Sequence, residues 1–368
     1  KVAIQRINAR PEPTQIPQTQ TLMGLGAFPM AHPLSLDMLG MHGTYYANMA
    51  VHHSDVLMAV GARFHDRVTG KVDMFAPNAQ IIHLDIDPSS ISKNIPVAIP
   101  IVGDCKRVLA KLVEAVREEL KSYPGGAVRE ARRQWHEQIA EWRTREPLRY
   151  EWSDDVIKPQ YVIEQLSDLT KGEAFVVTGV GQHQMWAAQY YRFKHPRMWC
   201  TSGGLGTMGY GLPTAMGVQA GNPGRLVANI DGDGSFQMNS QELATCHEEQ
   251  LPVKTIIINN GGHGMVRQWQ RIIYKERYCA IDLPGIPDWV KLAEAYGCMG
   301  LRVTKPSELR GAMEKMLATP APVVVDVCVA KDQNVFPMVP AGGANTDMIL
   351  APPTREIRDR AEKSQTGF

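Results

Sequence analysis

The sequence predicts an α/β protein made of two doubly wound, mainly parallel-sheet domains. Three observations lead there. Short apolar runs alternate with longer helical stretches twice along the chain. Those runs are apolar throughout rather than in alternation, as strands buried on both faces are. Several run straight into Gly, Asp or Asn, at the strand ends where open parallel sheets gather ligands. Composition supports a globular chain with sizeable cores: 44% of the 368 residues are hydrophobic. Charge is balanced at 39 basic against 38 acidic side chains with no basic stripe, so nucleic acid is not an expected partner. No apolar run approaches membrane-spanning length, and no membrane partner is expected. The six cysteines are scattered without a C-x-x-C pair and read as reduced. The expected location is the cytoplasm, or a plastid or mitochondrion in a eukaryote. Position 1 is Lys and no signal peptide is visible.

In chain order, residues 1–18 are Pro-rich and read as an irregular entry. The first domain is expected over 19–122. Its strands are Thr19–Met23, Val56–Val60, Ile81–Leu84 and Ile99–Val102. A helix follows, with Val108, Leu109, Leu112, Val113, Val116 and Leu120 on one stripe. Asp85 and Asp104 stand at strand ends, where an acid either receives a ribose hydroxyl or caps the next helix. Tyr123-Pro124-Gly125-Gly126 breaks the helix and opens a linker and surface helix to residue 155, carrying Trp135 and Trp142. The second domain is expected over 156–334. Pro159 starts a helix to Leu169, and Ala174–Thr178 is a strand. Toward the end, Trp289–Tyr296 and Glu308–Leu317 read as helices and Pro322–Val329 as a strand. Residues 335–368 form a C-terminal arm.

The densest signal lies between Asn229 and Trp269. Leu226–Ile230 reads as a buried strand. Asn239 with Glu242 three residues on makes a capping box for a helix to about Glu249. After Pro252, Val253–Ile258 is a second buried strand. Strand, helix and strand in this length imply a right-handed crossover with parallel strands. That brings Asp233 and Asn260 to one edge, although they are 27 positions apart. Their oxygens are hard donors suited to Mg2+, which takes few protein ligands plus phosphate oxygens. Gly232, Gly234, Gly261 and Gly262 let backbone N–H groups approach an anion. A metal-diphosphate site is the expectation. Gly203–Gly209 contains a G-x-G-x-x-G without a leading strand, a weak dinucleotide signal that leaves a NAD-dependent dehydrogenase as a distant alternative.

Gly232-Asp233-Gly234, 24 intervening residues and Asn259-Asn260 resemble the thiamine-diphosphate signature of the pyruvate decarboxylase and acetohydroxyacid synthase superfamily. Gln241–Thr245 and Gly264-Met265-Val266-Arg267-Gln268-Trp269 are similar to the acetohydroxyacid synthase (acetolactate synthase) catalytic subunit. The resemblance implies Asp233, Asn260 and Gly262 around Mg2+. It implies Gln182, His183, Gly206, Met208, Gly234, Ser235 and Gly264 around thiamine diphosphate, with Met208 bending the cofactor. Arg67 would pair with the carboxylate of the acceptor 2-keto acid, a bidentate task suited to Arg. Trp269, beside Met265, would shape the acceptor pocket.

Thr21–Gly26, Leu39–Gly43, Arg63–Gly70 and His83–Asp87 are similar to that family's middle domain, which binds FAD. Thr21, Leu22, Met41, His42, Gly61, Arg63, Asp66, Asp85, Ile86, Asp104 and Cys105 would surround the flavin, which has no redox step to perform. His65 departs from the family's usual Asp. Residues 335–350 resemble the arm over the active site. The implied activity is decarboxylation of pyruvate and transfer of its two-carbon unit to pyruvate or 2-ketobutyrate. A homodimer or homotetramer with a regulatory subunit is the implied assembly. Nothing in the chain resembles the family's N-terminal domain, which supplies the activating glutamate, so residues 1–368 alone are expected to be inactive. The alternatives are a related carboligase, such as glyoxylate carboligase, and a non-catalytic fragment that binds FAD and a diphosphate.

Overall fold

The computed structural model describes residues 15–122 and 126–350, and there the chain opens on a strand shorter than expected. Strand β1 covers Gln18–Gln20 only. Leu22–Gly24 winds into a 3-10 turn, closed by the Gly24 N–H donating to the Thr21 carbonyl at 2.8 Å. The expected strand Thr19–Met23 is corrected accordingly. β1 pairs in parallel with β2, Ser35–Met38, which the sequence did not reveal. This pair does not join the first sheet. Leu25, Met30 and Met38 pack instead into the core of the second, and the Met30 N–H donates to the Phe193 carbonyl at 3.0 Å. Of the expected irregular entry, residues 1–14 lie outside the described residues.

Helix α1, Tyr45–His52, starts where the Thr44 hydroxyl accepts from the Ala47 N–H. Then come β3 (Val56–Val60), a short α2 (Asp66–Thr69), β4 (Gln80–Asp85), β5 (Ile99–Val102) and α3 (Cys105–Ser122). These strands form a parallel sheet in the order β3-β4-β5. Ala59 and Ile81 face Ala47 and Val51 of α1 on one side. Leu84 and Ile101 meet Leu109 and Leu112 of α3 on the other, as the helical stripe predicts. The Leu120 side chain and the break at 123–125 fall outside the described residues. Helix α4, Gly126–Arg145, packs its Ile139 and Trp142 into the core beside α1.

The second domain contains α5 (Pro159–Thr170), β6 (Phe175–Thr178), α6 (Gln182–Tyr190), β7 (Trp199–Thr201), α7 (Gly211–Gly221) and β8 (Val227–Gly232). The chain continues through α8 (Asp233–Phe236), α9 (Leu243–Glu248), β9 (Lys254–Asn259), α10 (Gly264–Ile272) and α11 (Trp289–Ala295). It closes with β10 (Met299–Val303), α12 (Pro306–Ala318) and β11 (Val323–Cys328). The six strands are all parallel, in the order β10-β11-β9-β8-β6-β7. Successive residues point to opposite faces. Val176, Ile230, Ile256 and Val325 meet α5, α6 and α12. Val177, Val227, Ile257 and Val324 meet α7, α9 and α11. The sheet is wound on both sides, as the unbroken apolar runs require.

One local expectation fails inside the crossover. Helix starts at Asp233, directly after β8, so Asn239 is not an N-cap. Asn239 instead kinks the segment at φ −136° and ψ 27°, and its Nδ2 donates to the Gly209 carbonyl at 2.8 Å. The side chain ties the crossover to the Gly-rich loop before α7.

The arm after β11 straps the two domains together. The Val339 N–H donates to the Met41 carbonyl, Asn345 Nδ2 to the Val68 carbonyl, and the Lys71 N–H to the Gly343 carbonyl. Met338 and Ile349 pack against Ile272 and Ile273 at the end of α10. Residues 351–368 of the expected arm lie outside the described residues.

Candidate active site

β8 and β9 are neighbours in register, so both chain turns after them reach the same edge of the sheet. Between them opens a cleft. Its wall includes Gln182 and His183 from the start of α6, Met208, and Asp233, Gly234 and Ser235 after β8. Asn260, Gly262, Gly264 and Met265 complete it from the β9 side.

The Gly262 N–H donates to Asp233 Oδ2 at 2.9 Å and to Asn260 Oδ1 at 3.2 Å. One amide hydrogen therefore gathers both oxygens predicted from the sequence. Asp233 Oδ1 accepts from the Gly234 N–H at 2.8 Å. Burial raises the Asp233 carboxyl to about 6, against the pull of the Gly234 and Gly262 N–H bonds. A nearby cation relieves that desolvation. One carboxylate and one amide oxygen at the mouth of a glycine-lined cleft suit a hard divalent ion that draws its other ligands from phosphate and water. The donor set fits Mg2+ with a diphosphate.

Glycine is required at two points here. Gly261 sits at φ +71°, in the left-handed region. At Gly264 a Cβ would stand 2.1 Å from Gln182 Oε1. That close approach lets Gln182 reach across the cleft floor. Gln182 Nε2 donates to Gln268 Oε1 at 2.9 Å and to the Gln333 carbonyl at 2.8 Å.

His183 lies against the Gly232 backbone, and burial lowers it to about 3, so the imidazole is neutral. Its Nε2 stands 3.6 Å from Asp231 Oδ1. Burial pushes the Asp231 carboxyl up to about 7. The Ser235 hydroxyl accepts from the Gly209 and Val180 N–H groups at 3.1 and 3.4 Å. It thereby joins three loops below the cleft.

Several lining residues escaped the sequence reading. Trp186 sits in an Ala-containing helix with no motif around it, and Val180 and Ile258 read as plain loop and strand residues. His263 lies beside Gly262 in sequence, and its ring packs over Gly234. Adjacency to Gly262, itself an expected site residue, was the signal that could have found it. Gly206 stands behind the lining, facing Val180.

Arg67 and Trp269 do not line the cleft. The Arg67 side chain is 57% exposed and pairs with Asp66 at 2.6 Å. Trp269 lies one turn beyond Met265 and packs with Phe336 against Ile272, Ile273, Met338 and Ile349.

The eleven residues expected around a flavin separate into groups. Gly61, Arg63, Asp85, Ile86, Asp104 and Cys105 share the carboxyl edge of the first sheet, and Ile86 is 67% exposed. Asp104 Oδ1 accepts from the Arg107 N–H and caps α3, while Asp85 Oδ1 accepts from the Asp87 N–H. Each acid commits one oxygen locally. Thr21 and Leu22 border the 3-10 turn, where Leu22 approaches Gly203, and Arg63 approaches Gly204. Met41 and His42 lie at the junction with the arm. His42 Nδ1 bonds the Pro337 carbonyl at 3.0 Å, and Gln189 Nε2 donates to the His42 carbonyl at 2.9 Å. Asp66 is held by Arg67 at the surface.

Residues 179–327 match the family described as thiamine pyrophosphate enzyme, C-terminal TPP binding domain, and residues 2–112 match its central domain. The chain is 49% identical to acetolactate synthase 1, chloroplastic, of Zea mays over 349 residues, 92% of this chain and 53% of that protein. It is 46% identical over 350 residues to the acetolactate synthase isozyme 3 large subunit of Escherichia coli (strain K12), 94% of this chain and 60% of that protein. It is 47% identical over 363 residues to the acetolactate synthase of Mycobacterium bovis, 97% of this chain and 58% of that protein. The chain thus spans between half and three fifths of the length of these relatives. Among the described residues no helix is long and apolar enough to cross a membrane.

Proposed function

The chain belongs to the thiamine pyrophosphate enzymes, in the acetolactate synthase branch, and from that premise we propose that it serves the acetohydroxyacid synthase reaction. Pyruvate would be decarboxylated and its two-carbon unit condensed with pyruvate or 2-ketobutyrate. The observation that carries the reading is the convergence of Asp233 Oδ2 and Asn260 Oδ1 on the Gly262 N–H, in the cleft that Met208 and Met265 also line. When bound, thiamine diphosphate supplies the electron sink for breaking the bond from a 2-keto acid's carbonyl carbon to its carboxylate.

The chain's own residues bind, orient and shield. Asp233, Asn260 and Gly262 would hold Mg2+. Gln182, His183, Gly234, Ser235 and Gly264 would line the diphosphate and Gly206 and Met208 the organic part. The neutral His183 would offer a hydrogen bond there without adding a charge to the site. Met208 and Met265 line the cleft and would shield it from water once it is filled. Arg67, exposed and paired with Asp66 outside the cleft, would receive the acceptor's carboxylate with its planar fork. Trp269 would form the outer wall of the acceptor pocket, its ring fixed by Ile272 and Met338.

FAD is proposed for the first sheet's carboxyl edge, with Asp104 offering its second oxygen to a hydroxyl and Asp85 its Oδ2, which lies 3.8 Å from His83 Nε2. A homodimer or homotetramer and a regulatory subunit complete the reading; a relative of this chain is itself named a large subunit. Location in the cytoplasm, or in a plastid as for the chloroplastic relatives, is proposed on the same footing.

The test is metal-dependent cofactor binding by calorimetry. Asp233→Ala should abolish thiamine diphosphate uptake in the presence of Mg2+. Unchanged affinity in that variant would sink the reading.

A further inference from the structure

Asn260 and Gly262 present their groups on a turn, and something must hold that turn in shape. Asn259, the residue before it, points into the sheet rather than into the cleft. Its Oδ1 accepts from the Gly261 N–H at 3.1 Å, closing a turn of the Asx type. Its Nδ2 donates to Asp326 Oδ1 at 2.8 Å. Both ends of the amide are bonded within the protein, and Asn259 does not line the cleft.

Asp326 lies on the neighbouring strand β11, and its side chain is 2% exposed. A buried carboxylate is costly unless it is fully bonded. The second oxygen of Asp326 accepts from Arg302 Nε at 3.0 Å, directly across on β10. Arg302 Nη2 in turn donates to Asp288 Oδ1 at 2.7 Å. Asp288 caps α11 through the Val290 and Lys291 N–H groups. A continuous polar line therefore runs from the α11 cap across β10 and β11 to β9, and ends on the turn that carries Asn260 and Gly262.

We propose that Asn259, Asp326 and Arg302 are positioning residues that fix the geometry of the cation-binding turn across three strands. The inference rests on the proposed Mg2+-diphosphate site. Mg2+ demands near-ideal octahedral geometry, whereas Ca2+ accepts irregular and larger shells. A turn released from its anchor should therefore lose Mg2+ far more than Ca2+. A general loosening of the fold would weaken both by the same factor.

The experiment titrates Mg2+ or Ca2+ by calorimetry into the full chain with saturating thiamine diphosphate. The variants are Asn259→Ala, Arg302→Met and Arg302→Lys, with Asp233→Ala as the reference for the site itself. Substitutions behind a metal's ligands typically cost about 10–100-fold in affinity. Asn259→Ala should weaken Mg2+ within that range and Ca2+ by less than about threefold. Arg302, at 41% side-chain exposure, can be replaced without opening the core. Arg302→Met should show the same selective loss at the lower end of the range, and Arg302→Lys should recover part of it by returning a charge to Asp326. Equal losses of Mg2+ and Ca2+, or Mg2+ affinity within about threefold of the parent in both Asn259→Ala and Arg302→Met, would overturn the inference while leaving the site intact. Parent-like Mg2+ binding in Asp233→Ala would overturn the site, and the inference with it.

Discussion

The two parallel sheets of this chain are built from the same kinds of residue and differ in what covers them. In the six-stranded sheet, β8 is buried at every position, and β9 and β11 at all but their last. In the three-stranded sheet, Val56 and Val60 of β3 are 52% and 40% exposed, and Ile99 of β5 is 47% exposed. These two valines and one isoleucine share the face that α3 covers, where among the described residues α3 packs with Leu84, Ile101 and Met58. Wholly apolar strands are the signature of a sheet covered on both faces. The first sheet carries that signature without the matching cover among the described residues. Stability should therefore reside in the second sheet, and the first should depend on what is bound to it.

The largest effect should come from cutting into the closed sheet. Trp289 is 1% exposed and meets Phe236 edge-on at 5.4 Å between ring centroids. Trp289→Ala should cost about 3–5 kcal/mol of stability, because the cavity cannot collapse between two packed layers. Val60→Thr on the open sheet should change stability by no more than about 0.5 kcal/mol. Denaturant melts of both variants read the difference directly. Similar losses in the two would show that the first sheet is as well packed as the second.

A smaller effect should separate the sheets by ligand. A ligand at about 100 times its Kd protects the structure it binds by about 2.7 kcal/mol. Thiamine diphosphate with Mg2+ should slow amide exchange in β8, β9 and the turns after them. FAD should slow it in β3, β4 and β5 and leave β9 and β11 unchanged. Mass-spectrometric hydrogen exchange resolves the segments. Protection of both sheets by either ligand alone would mean that they unfold as one unit.

The same contrast decides what the sequence could disclose. The closed sheet was legible because buried parallel strands leave solid apolar runs, and β6, β8, β9 and β11 were found within a residue or two. β7 and β10 were missed: Trp199–Thr201 is three residues long, and Met299–Val303 carries a glycine and an arginine. Asp233 and Asn260 were legible because crossover geometry alone puts them on one edge. β2 was not, because Ser35-Leu36-Asp37-Met38 owes its burial to partners distant in sequence. Asp37 is held by Tyr46 at 2.6 Å and by Arg192 at 3.3 Å, contacts that no local pattern announces. Asn239 misled for a related reason. A cap residue followed by glutamate is a local signal, and the Gly209 carbonyl outcompeted it.

The smallest effect concerns a charge inside the closed sheet. Lys254 begins β9 at 3% exposure, and its Nζ donates to the carbonyls of Thr319 and Ala321 at 2.5 and 2.7 Å. Burial pulls its ammonium down to about 8. An unfolded lysine titrates near 10.4. The folded value is depressed, so the unfolded chain binds more protons between these two points. The stability linked to this group is fully present above the unfolded value and is lost as pH falls through about 8. Raising the pH from 8 to 9 should therefore add about 1 kcal/mol from this residue. Lys254→Met leaves the two carbonyls unbonded and lowers stability by an offset, but it should remove that slope. The measurement is the difference in unfolding free energy between parent and variant at successive pH values, in which groups titrating alike in both cancel. A difference that stays flat from pH 8 to 9 would mean that Lys254 keeps an ordinary ammonium, and that the closed sheet admits more water at this end than its burial implies.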